Sequence, residues 1–210
     1  LIERNVMWNC GDHAIQAAAD AILRNNIILG AAANGIHSQN HQSAIPGNLQ
    51  IAHNTVVVVN DAIRIDVPDD SVLIANNALY SRDGNALRLA GDAGFYVIAG
   101  NVGSGSTQGV TAGFDNTGNL ADDFIDLDFA GTGRNAFPLT ASALIGVGDS
   151  DYLAEVDFNG TPREGRADVG AYRFDPAGNP GWSITSSFKD SVAAGGGAGG
   201  TGGSVSGESG

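Results

Sequence analysis

The chain has 210 residues, 42% of them hydrophobic, with 23 acidic against 10 basic side chains and a formal net charge of -13. That is enough for one folded domain with a core, and the acidic balance argues against general nucleic-acid or anionic-membrane binding, which needs a basic face. The single cysteine, Cys10, rules out an internal disulfide and reads as a small buried hydrophobe; no Cys/His cluster has zinc-like spacing, and no apolar run is long enough for a membrane span.

From the first residue onward the chain repeats, so no leader is visible and the natural N-terminus is expected upstream of Leu1. Five segments share the frame apolar, x, x, Asn: Ile2 to Asn5, Leu23 to Asn26, Ile51 to Asn54, Ile74 to Asn77 and Ile98 to Asn101. Successive asparagines stand 21, 28, 23 and 24 residues apart. Nine or ten residues after each comes an aliphatic residue, namely Ile15, Ile36, Ile63, Leu87 and Val110. A small residue precedes each of these, and a polar column of His13, Asn34, Asp61, Asn85 and Gln108 comes one place earlier.

Two features that keep step at 21 to 28 residues, on short β-rich runs without helical periodicity, predict an all-β right-handed parallel β-helix over residues 1–118. Stacked coils place like residues over like at roughly 4.8 Å. Aliphatic columns then face inward, and Asn5, Asn26, Asn54, Asn77 and Asn101 form a ladder that satisfies backbone groups. The longest unit carries an insertion, Ser38 to Gly47, which reads as a corner loop.

One place after the aliphatic column lies a predicted outward column of Gln16, His37, Arg64, Arg88 and Thr111, and two places further stand Gln39, Asp66 and Gly113. His37, Arg64 and Arg88 form a basic stripe that suits an acidic sugar, because guanidinium presents a fork of donors to a carboxylate. Gln16, Gln39 and Asp66 complete the candidate binding face, and His37, Arg64 and Arg88 are the candidates for proton abstraction in a lyase. The competing expectation is that these are solvated surface columns in which Arg64 leans on Asp66. His53, beside the ladder, reads as a corner residue, and His13 and His41 as turn or loop residues. Asp66, Asp69 and Asp70 are candidate calcium ligands by oxygen chemistry alone, their spacing matching no calcium motif; no other cofactor is expected.

Beyond Asn119 the repeat ends, and residues 119–175 are expected to close the helix as an irregular cap stapled by Arg163 with Asp157 or Asp168. Four phrases occur here: Ala121-Asp-Asp-Phe-Ile-Asp126, Phe137-Pro-Leu-Thr140, Asp157-Phe-Asn-Gly-Thr-Pro-Arg163 and Asp168-Val-Gly-Ala-Tyr172. In this order they resemble the C-terminal part of the choice-of-anchor Q domain proteins, a bacterial family of pectate-lyase-like β-helices. The resemblance implies a secreted or cell-surface module, with an anchoring signal following the linker. Residues 176–192 read as that linker and 193–210 as a disordered Gly/Ser-rich tail.

The functional expectation is a single-copy, surface-displayed module that contacts a polysaccharide without catalysis, without nucleic acid and without membrane insertion. The alternatives are a polysaccharide lyase working by β-elimination at the stripe, and a structural module whose active coils lie upstream. The sequence patterns of polygalacturonases and pectate lyases are absent, and the only lysine, Lys189, falls in the linker.

Overall fold

A computed structural model describes residues 1–42, 44, 46–68, 70–181 and 184. The chain winds through about five coils. Coil 1 carries β1 (Ile2–Glu3), β2 (Val6–Cys10) and β3 (Ile15–Ala17); coil 2 carries β4 (Ala21–Arg24), β5 (Ile27–Ala31) and β6 (Ile36–Ser38). Coil 3 carries β7 (Leu49–Ala52), β8 (Thr55–Val58) and β9 (Ile63–Ile65). In coil 4, β10 (Val72–Ala75) is followed by the long β11 (Ala78–Leu89), and coil 5 carries β12 (Tyr96–Ala99) and β13 (Asn101–Gln108).

Three parallel sheets result. The first stacks β1, β4, β7, β10 and β12. The second stacks β2, β5, β8, the start of β11 and β13; the third stacks β3, β6, β9 and the end of β11, so β11 serves both. The expected parallel β-helix is therefore the fold, and its inward columns form one core, with Leu23, Ile51 and Ile74 on the first sheet and Ile36, Ile63 and Leu87 on the third. Burying each such side chain contributes about 1.5–3 kcal/mol.

The asparagine ladder stands where the first sheet turns into the second. Asn5, Asn26, Asn54 and Asn77 each donate from both the backbone N–H and the side-chain amide to Oδ1 of the next asparagine, at 2.9 to 3.1 Å, ending on Asn101. The amides of the last four also reach back to carbonyls one coil earlier, at Ile2, Leu23, Ile51 and Ile74. The corner is tight because the residue before each ladder asparagine is left-handed: Arg4, Asn25, His53, Asn76 and Gly100 have φ of 58°, 54°, 54°, 57° and 60°. Asn, His and Gly tolerate that region better than most residues, and their recurrence beside the ladder is a signal the sequence carries.

Two features depart from expectation. In coil 5 the register slips: Thr107, not Val110, pairs with Leu87, and Gln108, not Thr111, pairs with Arg88. Coil 5 is the short one: two residues separate Ser104 from Thr107 where six separate their partners Tyr80 and Leu87, so counting from Asn101 at the spacing of the earlier coils overshoots. Gly113 lies elsewhere, its carbonyl accepting from Asn101 N–H at 3.1 Å.

The second departure concerns the cap. The last coil is closed by a short piece, β14 (Phe114–Asp115), paired with β13, and by Gly118 on Gly103. The irregular region that follows does not lie across the end. It runs back along the outside of the second sheet, where Ile27, Leu29, Val57, Ala78, Tyr80 and Val102 would otherwise be a bare apolar face. Val169, Ala171, Tyr172, Phe158 and Phe137 cover that face as a second core. Within this flank, β15 (Phe124–Leu127) pairs antiparallel with β16 (Arg134–Pro138). Buried Asp123 ties it down by accepting from Tyr80 Oη at 2.6 Å, Ser142 Oγ at 2.8 Å and the N–H groups of Asn119 and Ala143. Ile184 packs into the same core, so the ordered layer passes the boundary expected at 175. The other linker and tail residues from 185 to 210, and Trp182, lie outside the described residues.

Arg163 is the pin of this layer. It is 1% exposed and donates to the carbonyls of Asp168, Gly170 and Ala171 and to Asn25 Oδ1, at 2.9 to 3.2 Å. The expected pairing with Asp157 or Asp168 is not made. Those carboxylates accept backbone N–H groups instead, Asp157 from Thr161 and Arg173 and Asp168 from Gly146 and Phe174. The flank has many unpaired peptide groups to satisfy, and charged side chains take them up. Burial pushes the guanidinium down to about 10, with Asp157 and Asp168 opposing at longer range.

Candidate functional site

The outer face of the third sheet is the one on which the candidate residues converge. Strand alternation turns Gln16, His37, Arg64, Arg88 and Gln108 outward in register on consecutive coils. The five do not share one environment. Gln16 is exposed, Gln39 and Asp66 are half-buried beside the column, and His37 is buried at 4%.

His37 lies under the face rather than on it. Its Nε2 stands 2.9 Å from Asp66 Oδ2, and its Nδ1 stands 3.0 Å from His13 Nε2. His13, read from sequence as a turn residue, closes the chain: its Nδ1 accepts Asn34 N–H at 3.1 Å. Burial chiefly, then His37 and Arg64, push the His13 imidazole below its ordinary value against the pull of Asp12 and Asp66. Polar columns at neighbouring positions are what brought the two rings together, and His13 stood in such a column in the sequence.

Both arginines are answered by an aspartate. Arg64 Nε donates to Asp66 Oδ1 at 2.8 Å, which raises the guanidinium pKa further. Burial alone would raise the Asp66 carboxyl, but the bonds from Arg64 and His37 overcome it and hold the group below its usual range. Arg88 Nη1 faces Asp61 Oδ2 at 3.6 Å, while Asp61 Oδ1 accepts both N–H groups of Asn85 at 2.8 Å. Asp61 was legible only as one of a polar column, and its partner only from the register. The stripe is thus a balanced array of two arginines and two aspartates, as the surface-pair expectation had it for Arg64.

Other sequence candidates go elsewhere. Asp70 is exposed and accepts its neighbour's N–H from Ser71, Asp66 is engaged as above, and Asp69 lies outside the described residues. Among the described residues no three His, Cys, Asp or Glu side chains converge to hold a metal ion. His41 sits in the corner loop, where it bridges to Ala44, and His53 is a buried corner residue against the flank. No helix among the described residues is long and apolar enough to cross a membrane. No protein-family model matches the chain, and no curated protein matches it.

Proposed function

We propose that the chain is a carbohydrate-binding β-helix module that holds an extended glycan along the outer face of the third sheet, without catalysis by these coils. The observation that carries the reading is the register pair Arg64 and Arg88, side by side on adjacent strands and each half-exposed with its own aspartate. Like charges directly opposite on a sheet cost stability, so a compensated pair with its outer edges open is a ready set of fixed donors and acceptors. Gln16 and Gln108 extend the same face along the axis at one strand spacing. A linear polymer, rather than a small molecule, matches a flat face of this form. Because each guanidinium is already balanced, neighbouring sugar hydroxyls fit better than a dense run of free carboxylates.

The acidic composition and the four C-terminal phrases add a secreted or cell-surface setting and kinship with the choice-of-anchor Q, pectate-lyase-like β-helices to this proposal. A binding screen on immobilised polysaccharides tests it, with wild type compared with Arg64→Ala and Arg88→Ala. Retention lost in both variants supports the face; retention unchanged in both sinks it.

A lyase is the second reading, favoured by the imidazole chain next to Arg64. A base needs a free nitrogen at the substrate, and both histidines have theirs occupied by protein partners. Formation of an unsaturated uronate on incubation with pectate or alginate, abolished by Arg64→Ala, would replace the binding reading.

A further inference from the structure

The hydrogen-bond chain beneath the face has a fixed direction. A backbone N–H only donates, so the bond from Asn34 leaves His13 Nδ1 bare and puts that ring's proton on Nε2. The Nε2–H then points at His37 Nδ1, 3.0 Å away, which must accept. The His37 proton therefore sits on Nε2 and is donated to Asp66 Oδ2 at 2.9 Å, while Arg64 holds the other carboxylate oxygen. Every nitrogen of both rings is used, and one backbone amide sets both tautomers.

Such a chain has no place for another proton. On His13 Nδ1 it would face the Asn34 N–H, and on His37 Nδ1 it would face the His13 Nε2–H. Charging His37 while turning His13 to its other tautomer only moves the collision back to Asn34. Protonating Asp66 on Oδ2 sets its O–H against the His37 N–H. Each arrangement breaks one link, and the link at stake joins consecutive coils.

We infer that His13, His37 and Asp66 form a proton-gated latch, which ties the corner of coil 1 to coils 2 and 3 while both imidazoles are neutral and releases it when the pair takes up a proton. The inference does not depend on what the face binds. Backbone bonds also join the two coils at this corner: Ala14 N–H donates to Asn34 carbonyl at 3.1 Å, Ile15 N–H to Gly35 carbonyl at 3.0 Å, Ala32 N–H to Cys10 carbonyl at 2.8 Å and Ala33 N–H to Asp12 carbonyl at 3.3 Å. The charged groups facing the latch are Asp12 from its own corner, 3.8 Å from His13 Nε2, with Arg64 and Asp66 from coil 3 and Asp61 acting on Arg64. Burial, His37 and Arg64 lower the His13 pKa, so the latch is closed above the ordinary histidine value of about 6.5 and opens below it.

The test is nitrogen NMR of the histidine-labelled full chain with amide exchange followed against pH. At pH near 7.5 both His13 and His37 should show a protonated Nε2 and a bare Nδ1. On lowering the pH to about 5, the Asn34 amide should lose at least about tenfold in protection beyond the intrinsic pH trend. In His13→Ala, which removes the acceptor of the Asn34 amide, that step should vanish. A proton on Nδ1 of either ring at neutral pH overturns the latch, and so does Asn34 protection in the wild type that ignores pH. Both readouts are made on the wild type, so they decide even if the variant fails to fold.

Discussion

The inside of the coils and the flank laid over the second sheet are both apolar cores, but they are held by opposite means. In the coils each contact is one of a column, so Asn54 is supported by Asn26 and Asn77 through the same bonds those residues make to their own neighbours. In the flank each polar contact is made once. Arg163 meets Asn25 from 138 residues away, Arg4 meets Phe158 from 154, and Thr55 accepts the N–H of Ala171 from 116. A column spreads the loss of one member over its neighbours, whereas a single pin has no substitute.

Removing the pin should therefore give the largest effect and the most local one. Arg163→Ala strands the carbonyls of Asp168, Gly170 and Ala171 and the Asn25 side chain inside the second core, at an expected cost of about 3–5 kcal/mol. Hydrogen exchange should show residues 144–174 opening while β7, β8 and β10 keep their protection. Uniform loss through the coils would mean that the two cores melt as one unit and that the contrast is only geometric.

The ladder sharpens the same contrast by position. Asn54→Ala removes an acceptor serving two donors of Asn26 and an amide reaching Leu23 carbonyl, all buried, and should cost about 2–4 kcal/mol in denaturant titrations. Asn5→Ala, at the exposed edge, should cost under about 1 kcal/mol. Equal costs at the two positions would show that the ladder is not cooperative along the axis.

That difference in construction also explains what could be read beforehand. Periodicity is written in the sequence, so the fold, the five ladder asparagines and the register of Ile15, Ile36, Ile63 and Leu87 were all legible from spacing. The fifth coil escaped because it is shortened between Ser104 and Thr107, and spacing alone does not say where a coil loses residues. The flank was recognisable as a distinct region from its phrases, but not its placement, since nothing in Asp157 to Tyr172 names Asn25, Thr55 or Asn76 as partners. On the candidate face, Arg64 with Asp66 was visible as a neighbouring pair on one strand. Burial of His37 was not, because strand alternation gives the side a residue points to and not what lies over it.

The junction between the two regions should also respond to acid. His53 is fully buried at the corner under the flank; burial first and Arg163 second hold its pKa well below the ordinary value. The unfolded chain then takes up the proton first, so this contribution is complete above about pH 6.5 and is lost as the pH falls below it. Stability should drop by at most about 1.4 kcal/mol per pH unit from this one group, seen as a falling urea midpoint between pH 7 and 5. His53→Asn, which keeps a residue tolerant of the left-handed corner, should flatten the slope, leaving the smaller part that His13 contributes in the same direction. An unchanged slope would place the acid response outside the junction.

The smallest effect on folding is expected at the face itself. Arg88 and Arg64 lie outside both cores and are themselves partly exposed, and the buried Asp61 keeps both of its bonds from Asn85 when Arg88 is lost, so Arg88→Ala should change stability by no more than about 1 kcal/mol. If that variant unfolds the protein as Asn54→Ala does, the arginine column belongs to the scaffold and the proposed glycan face loses its basis. If it leaves the urea midpoint in place while retention on polysaccharide falls, the side chains on the outside of the third sheet are set for a partner rather than for the coil beneath them.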